Sequence, residues 1–264
     1  MTLKQSIKSL RAPFFKFLYP NKQNFTCPIC NYNGPFKDKK NRLHAKCPKC
    51  GENERSRLQF LVLKQVLDNY DHPEAKVLHI APEQSIQNYF TAKFKDYTTA
   101  DKFRTNVDLQ FDVINIPFPN QTFDIVYASH ILLYPQDDLQ AIAEMHRILK
   151  PNGIAIIPMP IFAEKTVDDF SPEARWIHQP GLDYFQRYQK FFPQLNMYYS
   201  HMFPAQYQVY ICDSSPDHPL SVDAIRREEL VPISYGDTVD PRFNLTVPVS
   251  PDNPIKSANQ PKSD

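Results

Sequence analysis

The chain has 264 residues, enough for one ordinary domain and a small accessory module. Hydrophobic residues make up 42% and include nineteen Phe and fourteen Tyr, which supplies a sizeable core. No stretch approaches the ~20 apolar residues of a membrane span, and residues 1–20 mix Leu and Phe with Lys4, Lys8, Arg11 and Lys16 rather than forming a signal peptide, so no membrane partner and a cytoplasmic protein with reduced thiols are expected.

The net charge of +1 conceals an asymmetry. Residues 1–60 hold thirteen Lys or Arg against three Asp or Glu, a balance of +10, and the rest of the chain holds seventeen against twenty-six, a balance of −9. A basic head on an acidic body points to a polyanionic partner, nucleic acid first, or to a solvated Lys-rich surface docked on the body.

Residues 1–24 read as a basic, aromatic leader with a short helix stopping before Pro13. Residues 25–52 carry Cys27-Pro28-Ile29-Cys30 and Cys47-Pro48-Lys49-Cys50, a C-x2-C-x16-C-x2-C pattern. A two-residue gap lets both sulfurs of one knuckle reach a single tetrahedral ion, and the longer gap leaves room for a hairpin that returns the second pair. The pattern predicts a zinc ribbon with these four cysteines as ligands. A pair of disulfides is the alternative, and it suits a secreted chain better.

Residues 53–213 alternate helix and strand signals, which predicts an α/β domain on a mostly parallel sheet. Helices are expected over 54–70, 84–94, 137–149 and 182–192. Strands are expected over 76–80, 97–101, 123–128 and 154–160, with 196–202 and 206–212 as an antiparallel pair closing the sheet and Cys212 a buried strand residue. Lys150-Pro151-Asn152-Gly153 should end the third helix in a left-handed turn. Residues 214–264 contain eight prolines and few long apolar side chains, and read as an extended or disordered tail in which 230–233 and 245–247 retain the option of local packing.

Ile116-Pro117-Phe118-Pro119-Asn120-Gln121-Thr122-Phe123-Asp124-Ile125-Val126 resembles the "LPFPDxSFDxV" segment of the class I S-adenosylmethionine-dependent methyltransferases. Ile148-Leu149-Lys150-Pro151-Asn152-Gly153 is similar to the end of that family's "RxLKPGG" turn. The likeness covers about residues 75–213. Cys50-Gly51-Glu52-Asn53-Glu54-Arg55-Ser56-Arg57 and Leu78-His79-Ile80-Ala81-Pro82-Glu83 resemble "CGSxERHR" and "LHxAPE" of a subgroup with an N-terminal zinc ribbon. The stretch 176–184 is similar to that subgroup's "HVRxYGxDY", with Gly181, Asp183 and Tyr184 matching and Trp176, His178 and Pro180 departing.

The resemblance implies a Rossmann-like class I methyltransferase sheet with S-adenosylmethionine as cofactor, beside the Zn(2+) that the cysteine spacing predicts; the methyl acceptor is read as an RNA gripped by the basic ribbon, or equally as a small molecule or a glycan intermediate with the ribbon as a lid. Cofactor contacts implied are His79, Ala81, Pro82 and Glu83 after the first strand, Asp101 and Lys102 after the second, Asp112 with Val113, and Ser129. The family has a Gly-rich turn after its first strand, whereas this chain has no Gly between 52 and 152, and His79 stands where the family has an acid. Asp101 would accept ribose hydroxyls, or serve as a turn residue; Asp112 would meet the adenine amino group, or cap a turn. His130, Tyr134 and His178 are the catalytic candidates, with Asp183 and Tyr184 lining the acceptor side; a lone His is also a common structural hydrogen-bonder. The subgroup reads "SHVLEH" where this chain has Ser129-His130-Ile131-Leu132-Leu133-Tyr134. Trp176 is read as core rather than a stacking platform. The rival reading is a non-catalytic zinc-ribbon scaffold on the same fold.

Overall fold

The computed structural model describes residues 3–39, 42–162, 165–192, 195–198, 203–209, 228–236 and 242. Helix α1 (Leu3–Leu18) runs through Pro13 instead of stopping before it. It packs Ala12 onto a small head made of two hairpins, β1 (Asn24–Thr26) with β2 (Asn33–Pro35), and β3 (Lys37–Lys39) with β4 (Arg42–Lys46).

The two cysteine knuckles are the same turn used twice. Thr26 pairs with Asn33 around the first and Lys46 bridges Asn53 around the second. In each, the first Cys N–H donates to the carbonyl five residues on (Cys27 to Tyr32, 2.8 Å; Cys47 to Glu52, 2.9 Å). In each, the residue after the second Cys is left-handed, Asn31 at φ 57° and Gly51 at φ 85°, and Asn and Gly are the residues that tolerate this. The second knuckle passes directly into the body, because Asn53 is also the N-cap of α2 (Glu54–Leu67) and accepts from Ser56 N.

The central sheet runs β7 (Leu109–Gln110), β6 (Asp96–Asp101), β5 (Lys76–Ile80), β8 (Phe123–Ala128), β9 (Leu149–Ile156), all parallel, followed by β14 (Glu228–Tyr235), which is antiparallel to β9. β13 (Leu195–Tyr198) and β10 (Met159–Ile161) both pair with β14. This is the mostly parallel sheet with an antiparallel end that the sequence predicts. The partner strand, however, is 228–235 and not 206–212. Residues 205–207 form a 3-10 turn instead, and Cys212 lies outside the described residues. A segment expected to belong to the tail therefore supplies an interior strand of the sheet.

The buried strands alternate strictly between two helix layers. Val77, Ile125, Tyr127, Ile154 and Ile156 pack against α2 and α3 (Gln84–Lys93). Leu78, Ile80, Val126, Ala128 and Ala155 pack against α4 (Asp138–Ile148) and the Tyr184–Phe192 segment that contains α5 (Phe185–Gln189). β8 is buried along its whole length, as a central parallel strand should be. Gly153 sits within β9 without a positive φ, so the expected left-handed turn is absent. Glycine is required there by space, since a Cβ would lie 2.8 Å from Asp124 O.

Arg57, on the first turn of α2, is fully buried between head and body. Its Nη1 donates to Ala45 O and Glu52 O (3.2 Å each), and Nη2 donates to His44 O (3.4 Å) and Gln208 O (2.6 Å). Nε donates to Tyr207 O at 3.1 Å, and the guanidinium stacks on Phe36 at 4.6 Å. Replacing Arg57 with Met leaves these carbonyls without their donor, so a stability loss of about 3–5 kcal/mol is expected. Urea unfolding measures it, and Arg57→Lys should fall between; an unchanged midpoint would mean that the guanidinium does not join the two units.

Candidate cofactor cleft and cysteine centre

The chain leaves β5 towards β6 and β7 on one side, then returns to β8 on the other. The switch point therefore lies between the carboxyl ends of β5 and β8, where an open α/β sheet forms its crevice. Ala81 and His130 stand at these two ends, and both are left-handed, at φ 54° and 57°. Their N–H groups are held by Ala100 O (2.7 Å) and Pro158 O (2.9 Å). The turn expected to need glycine is thus made by an alanine, at a local cost of about 1–2 kcal/mol.

The loops around this crevice are tied to one another. Asp101 Oδ1 accepts from Phe103 N (2.8 Å) and Arg104 N (2.9 Å), while Arg104 Nη1 donates to Pro82 O at 2.8 Å. Lys102 donates to Asp112 Oδ2 at 2.6 Å, and Asp112 Oδ1 faces Ile114 N. Asp101 and Asp112 thus hold their own loops, Asp101 buried and Asp112 half-buried. Val113 is half-buried against the α4 side of the core.

His79 is fully buried and faces Phe90, Tyr97 and Tyr127 edge-on. Its Nδ1 lies 2.9 Å from Tyr97 Oη and its Nε2 3.3 Å from Glu83 Oε2. Burial pushes the Glu83 carboxyl up, but hydrogen bonds from His79 and Ser129 and the nearby Arg55 charge bring it below its ordinary value. Glu83 is then a carboxylate and only accepts, so Nε2 carries the imidazole proton and Nδ1 accepts from the Tyr97 hydroxyl. His79 supports Glu83 from beneath and does not line the crevice.

Two residues of α2 reach the same place, and the sequence reading missed both. Arg55 Nη1 lies 3.0 Å from His130 Nδ1, which must accept because a guanidinium only donates. Arg55 Nε is buried without a hydrogen-bond partner. Gln59 accepts from Tyr127 Oη (2.9 Å) and donates to Ser129 Oγ (3.0 Å). The signal was present in their spacing of one helical turn, directly after the second knuckle.

His130 and Tyr134 flank one loop, with Tyr134 exposed. His178 lies beneath this loop, buried, with both ring nitrogens committed: Nδ1 at 2.7 Å from Asp168 Oδ1 and Nε2 at 2.9 Å from Pro135 O. Arg187 Nη2 donates to Asp168 (2.6 Å) and Nη1 to Asp138 (2.5 Å), which also accepts from Tyr184 Oη. Asp183 accepts from Thr166 N and Oγ1, both at 2.7 Å. His178, Asp183 and Tyr184 therefore fasten a strap, 165–181, whose β11 (Val167–Asp168) and β12 (His178–Gln179) form a hairpin hydrogen-bonded to Leu133 O in the loop after β8. At its base a Cβ on Gly181 would meet Lys165 C at 2.2 Å. Trp176 stacks on Phe162 with centroids 4.9 Å apart, half-buried against the core.

In the head, Cys27, Cys30, Cys47 and Cys50 are all free thiols whose sulfurs lie within 4.8 Å of one another. Cys27 and Cys50 are 3.7 Å apart and Cys30 and Cys47 3.6 Å. A metal–thiolate distance of about 2.3 Å gives a tetrahedron edge of about 3.8 Å, so the donor set fits a divalent ion. Sulfurs this close share their protons and titrate as one coupled group rather than as four separate thiols.

Residues 73–157 match the family described as Methyltransferase domain. A protein of Schizosaccharomyces pombe described as an uncharacterized methyltransferase is 31% identical over 84 residues, which are 31% of this chain and 30% of that protein. The chain thus spans about 30% of the length of the curated relative it matches. A solved structure from Galdieria sulphuraria, provisionally described as a sarcosine dimethylglycine methyltransferase, superposes with a TM-score of 0.51 at 11% identity, covering 86% of this chain and 99% of the other.

Burial holds His79 neutral, below its ordinary 6.5. A depressed histidine stabilises the fold above the unfolded-state value and loses that contribution as pH falls through 6.5 towards the folded value. Chemical denaturation of wild type and His79→Gln between pH 7.5 and 5 should show the wild type losing up to about 1.4 kcal/mol per pH unit more steeply. Parallel curves would rule out a buried neutral ring.

Proposed function

We propose that this chain, whose body is a class I methyltransferase domain, transfers a methyl group from S-adenosylmethionine and carries a structural zinc ion in its four-cysteine head. The observation that carries this reading is the convergence of four loops and of the half-buried Arg55, with its unpartnered Nε, at the β5/β8 switch point of a sheet matched by the methyltransferase family. S-adenosylmethionine supplies a sulfonium-activated methyl group, which leaves the protein to bind, orient and handle a proton. The remaining lone pairs of Asp101 would accept ribose hydroxyls, Asp112 would face the adenine amino group, and Ala81 to Glu83 and Ser129 would form the floor. Arg55, whose unpartnered Nε is the donor still to be satisfied, would take the carboxylate of the cofactor's amino-acid end. His130 accepts from Arg55 through Nδ1, so its proton handling would fall to Nε2. Tyr134, exposed beside the strap, would meet the acceptor, an RNA gripped by the basic head or a small molecule or glycan intermediate. His178 would act as a positioning residue for the strap.

The four cysteines would hold zinc as thiolates, giving a centre of net charge −2. One observation favours the rival scaffold reading: Asp101 and Asp112 already satisfy their own loops and neighbouring cations.

Calorimetric titration with S-adenosylmethionine and S-adenosylhomocysteine separates the two. Micromolar binding is expected, weakened by about 1–3 kcal/mol in Asp101→Asn, which keeps the loop acceptor but loses the charge. No heat at millimolar ligand with an intact fold would overturn the methyltransferase reading. Cys47→Ser should lose the single zinc ion and melt the head, because metal binding is its folding energy; elemental analysis showing one ion per chain in the variant would remove the zinc assignment.

A further inference from the structure

Helix α1 is turned the wrong way round for a helix that belongs to a core. Its buried anchor is Ala12, 2% exposed, which joins Phe25, Tyr32 and Phe36 of the head. Leu10, Phe14, Phe17 and Leu18 are 74%, 66%, 82% and 72% exposed. At about 100° per residue all four fall within roughly 60° of the direction opposite Ala12. In the sequence, Leu3 and Ile7 continue the same spacing towards the N-terminus. Lys37 Nζ, 5.2 Å from the Phe15 ring, braces the C-terminal turn against the head, and Phe15 also packs on Tyr19 just beyond the helix end at 4.5 Å.

The charge carried by this helix has one sign. Lys4, Lys8, Arg11 and Lys16 lie in it with no acid, the first acid of the chain, Asp38, pairs with Lys22 of the head, and the residues after 60 carry −9. An apolar stripe with basic residues and no acid is the composition of a helix that lies in the surface of an anionic bilayer. The acidic remainder would be repelled by the same surface, so head and body are oriented oppositely with respect to it. A second copy of this helix would bring like charges together. Nucleic acid would satisfy the cations but leave the aliphatic Leu10 and Leu18 in water. Among the described residues no helix is long and apolar enough to cross a membrane, so the contact is interfacial.

We propose that α1 lies in the interface of an anionic phospholipid membrane, with Leu10, Phe14, Phe17 and Leu18 inserted at the headgroup boundary and the basic residues of this segment supplying the electrostatic attraction. The surface does not depend on the methyltransferase reading, since it is remote in sequence from the cleft residues and is tested without cofactor.

The test is co-sedimentation of the full zinc-loaded chain with vesicles of phosphatidylcholine alone and of equal parts phosphatidylcholine and phosphatidylglycerol. Binding to the anionic vesicles is expected, weakened by added salt and reduced roughly tenfold or more in Phe14→Glu/Phe17→Glu. These side chains are exposed, so the thermal unfolding curve should be unchanged and serves as the folding control. Three results would overturn the proposal: no partition into anionic vesicles; equal partition of wild type and variant; or a wild-type dimer or RNA complex that the double substitution abolishes while vesicle binding is absent.

Discussion

Five backbone carbonyls from three separate segments converge on the Arg57 guanidinium, and the positions of head, α2 and the 205–208 turn all follow from that convergence. A buried cation in a site of neutral acceptors is costly unless negative charge is near. Burial draws the Arg57 guanidinium down, and the opposing influences come from Cys27, Glu54, Cys47 and Cys50. A four-thiolate metal centre of net charge −2 would add to the compensation that Glu54, itself paired with Arg42 across the joint, supplies. The head is then an electrostatic partner of the body as well as a neighbour. Two residues to either side of Arg57 on the same helix, Arg55 and Gln59 reach the crevice, so the arrangement that fastens the head also positions the cleft.

Backbone strain marks the cleft more sharply than any side chain does. Ala81 and His130 adopt left-handed conformations at the ends of the two strands that flank the switch point. Neither is glycine, and both are pinned by hydrogen bonds to neighbouring strand ends. Strain of this kind persists where the surrounding structure over-determines it and recurs at functional sites. A methyl side chain at 81 narrows the approach relative to glycine, which makes the cleft of this chain more closely shaped than a Gly-rich turn would.

Charge as well as the Trp176–Phe162 stack holds the strap 165–181. Burial pushes the Asp168 carboxyl up, yet hydrogen bonds from Arg187 and His178 hold it below its ordinary value. Asp138 ties the same arginine to the start of α4, so the strap and the loop after β8 are fixed relative to each other through one ion network. His178 is part of the same network, with Nδ1 at Asp168 Oδ1 and Nε2 at Pro135 O.

The sequence by itself determined whatever depends on short-range spacing. The cysteine knuckles, the α2 and α4 registers and the buried strands over 76–80 and 123–128 are legible because ligand geometry, helical periodicity and continuous apolar runs are local properties. The resemblance carried by 116–126 pointed to the sheet as a whole. Only the tertiary structure decided that 228–235 is an interior strand, because a strand enclosed by neighbours on both sides is defined by its partners and its own stretch reads as proline-rich tail. The same holds for His79, His178, Arg55 and Gln59. Whether a polar side chain lines a crevice or supports one from beneath depends on burial and on partners as many as 75 residues away, and no local pattern records either.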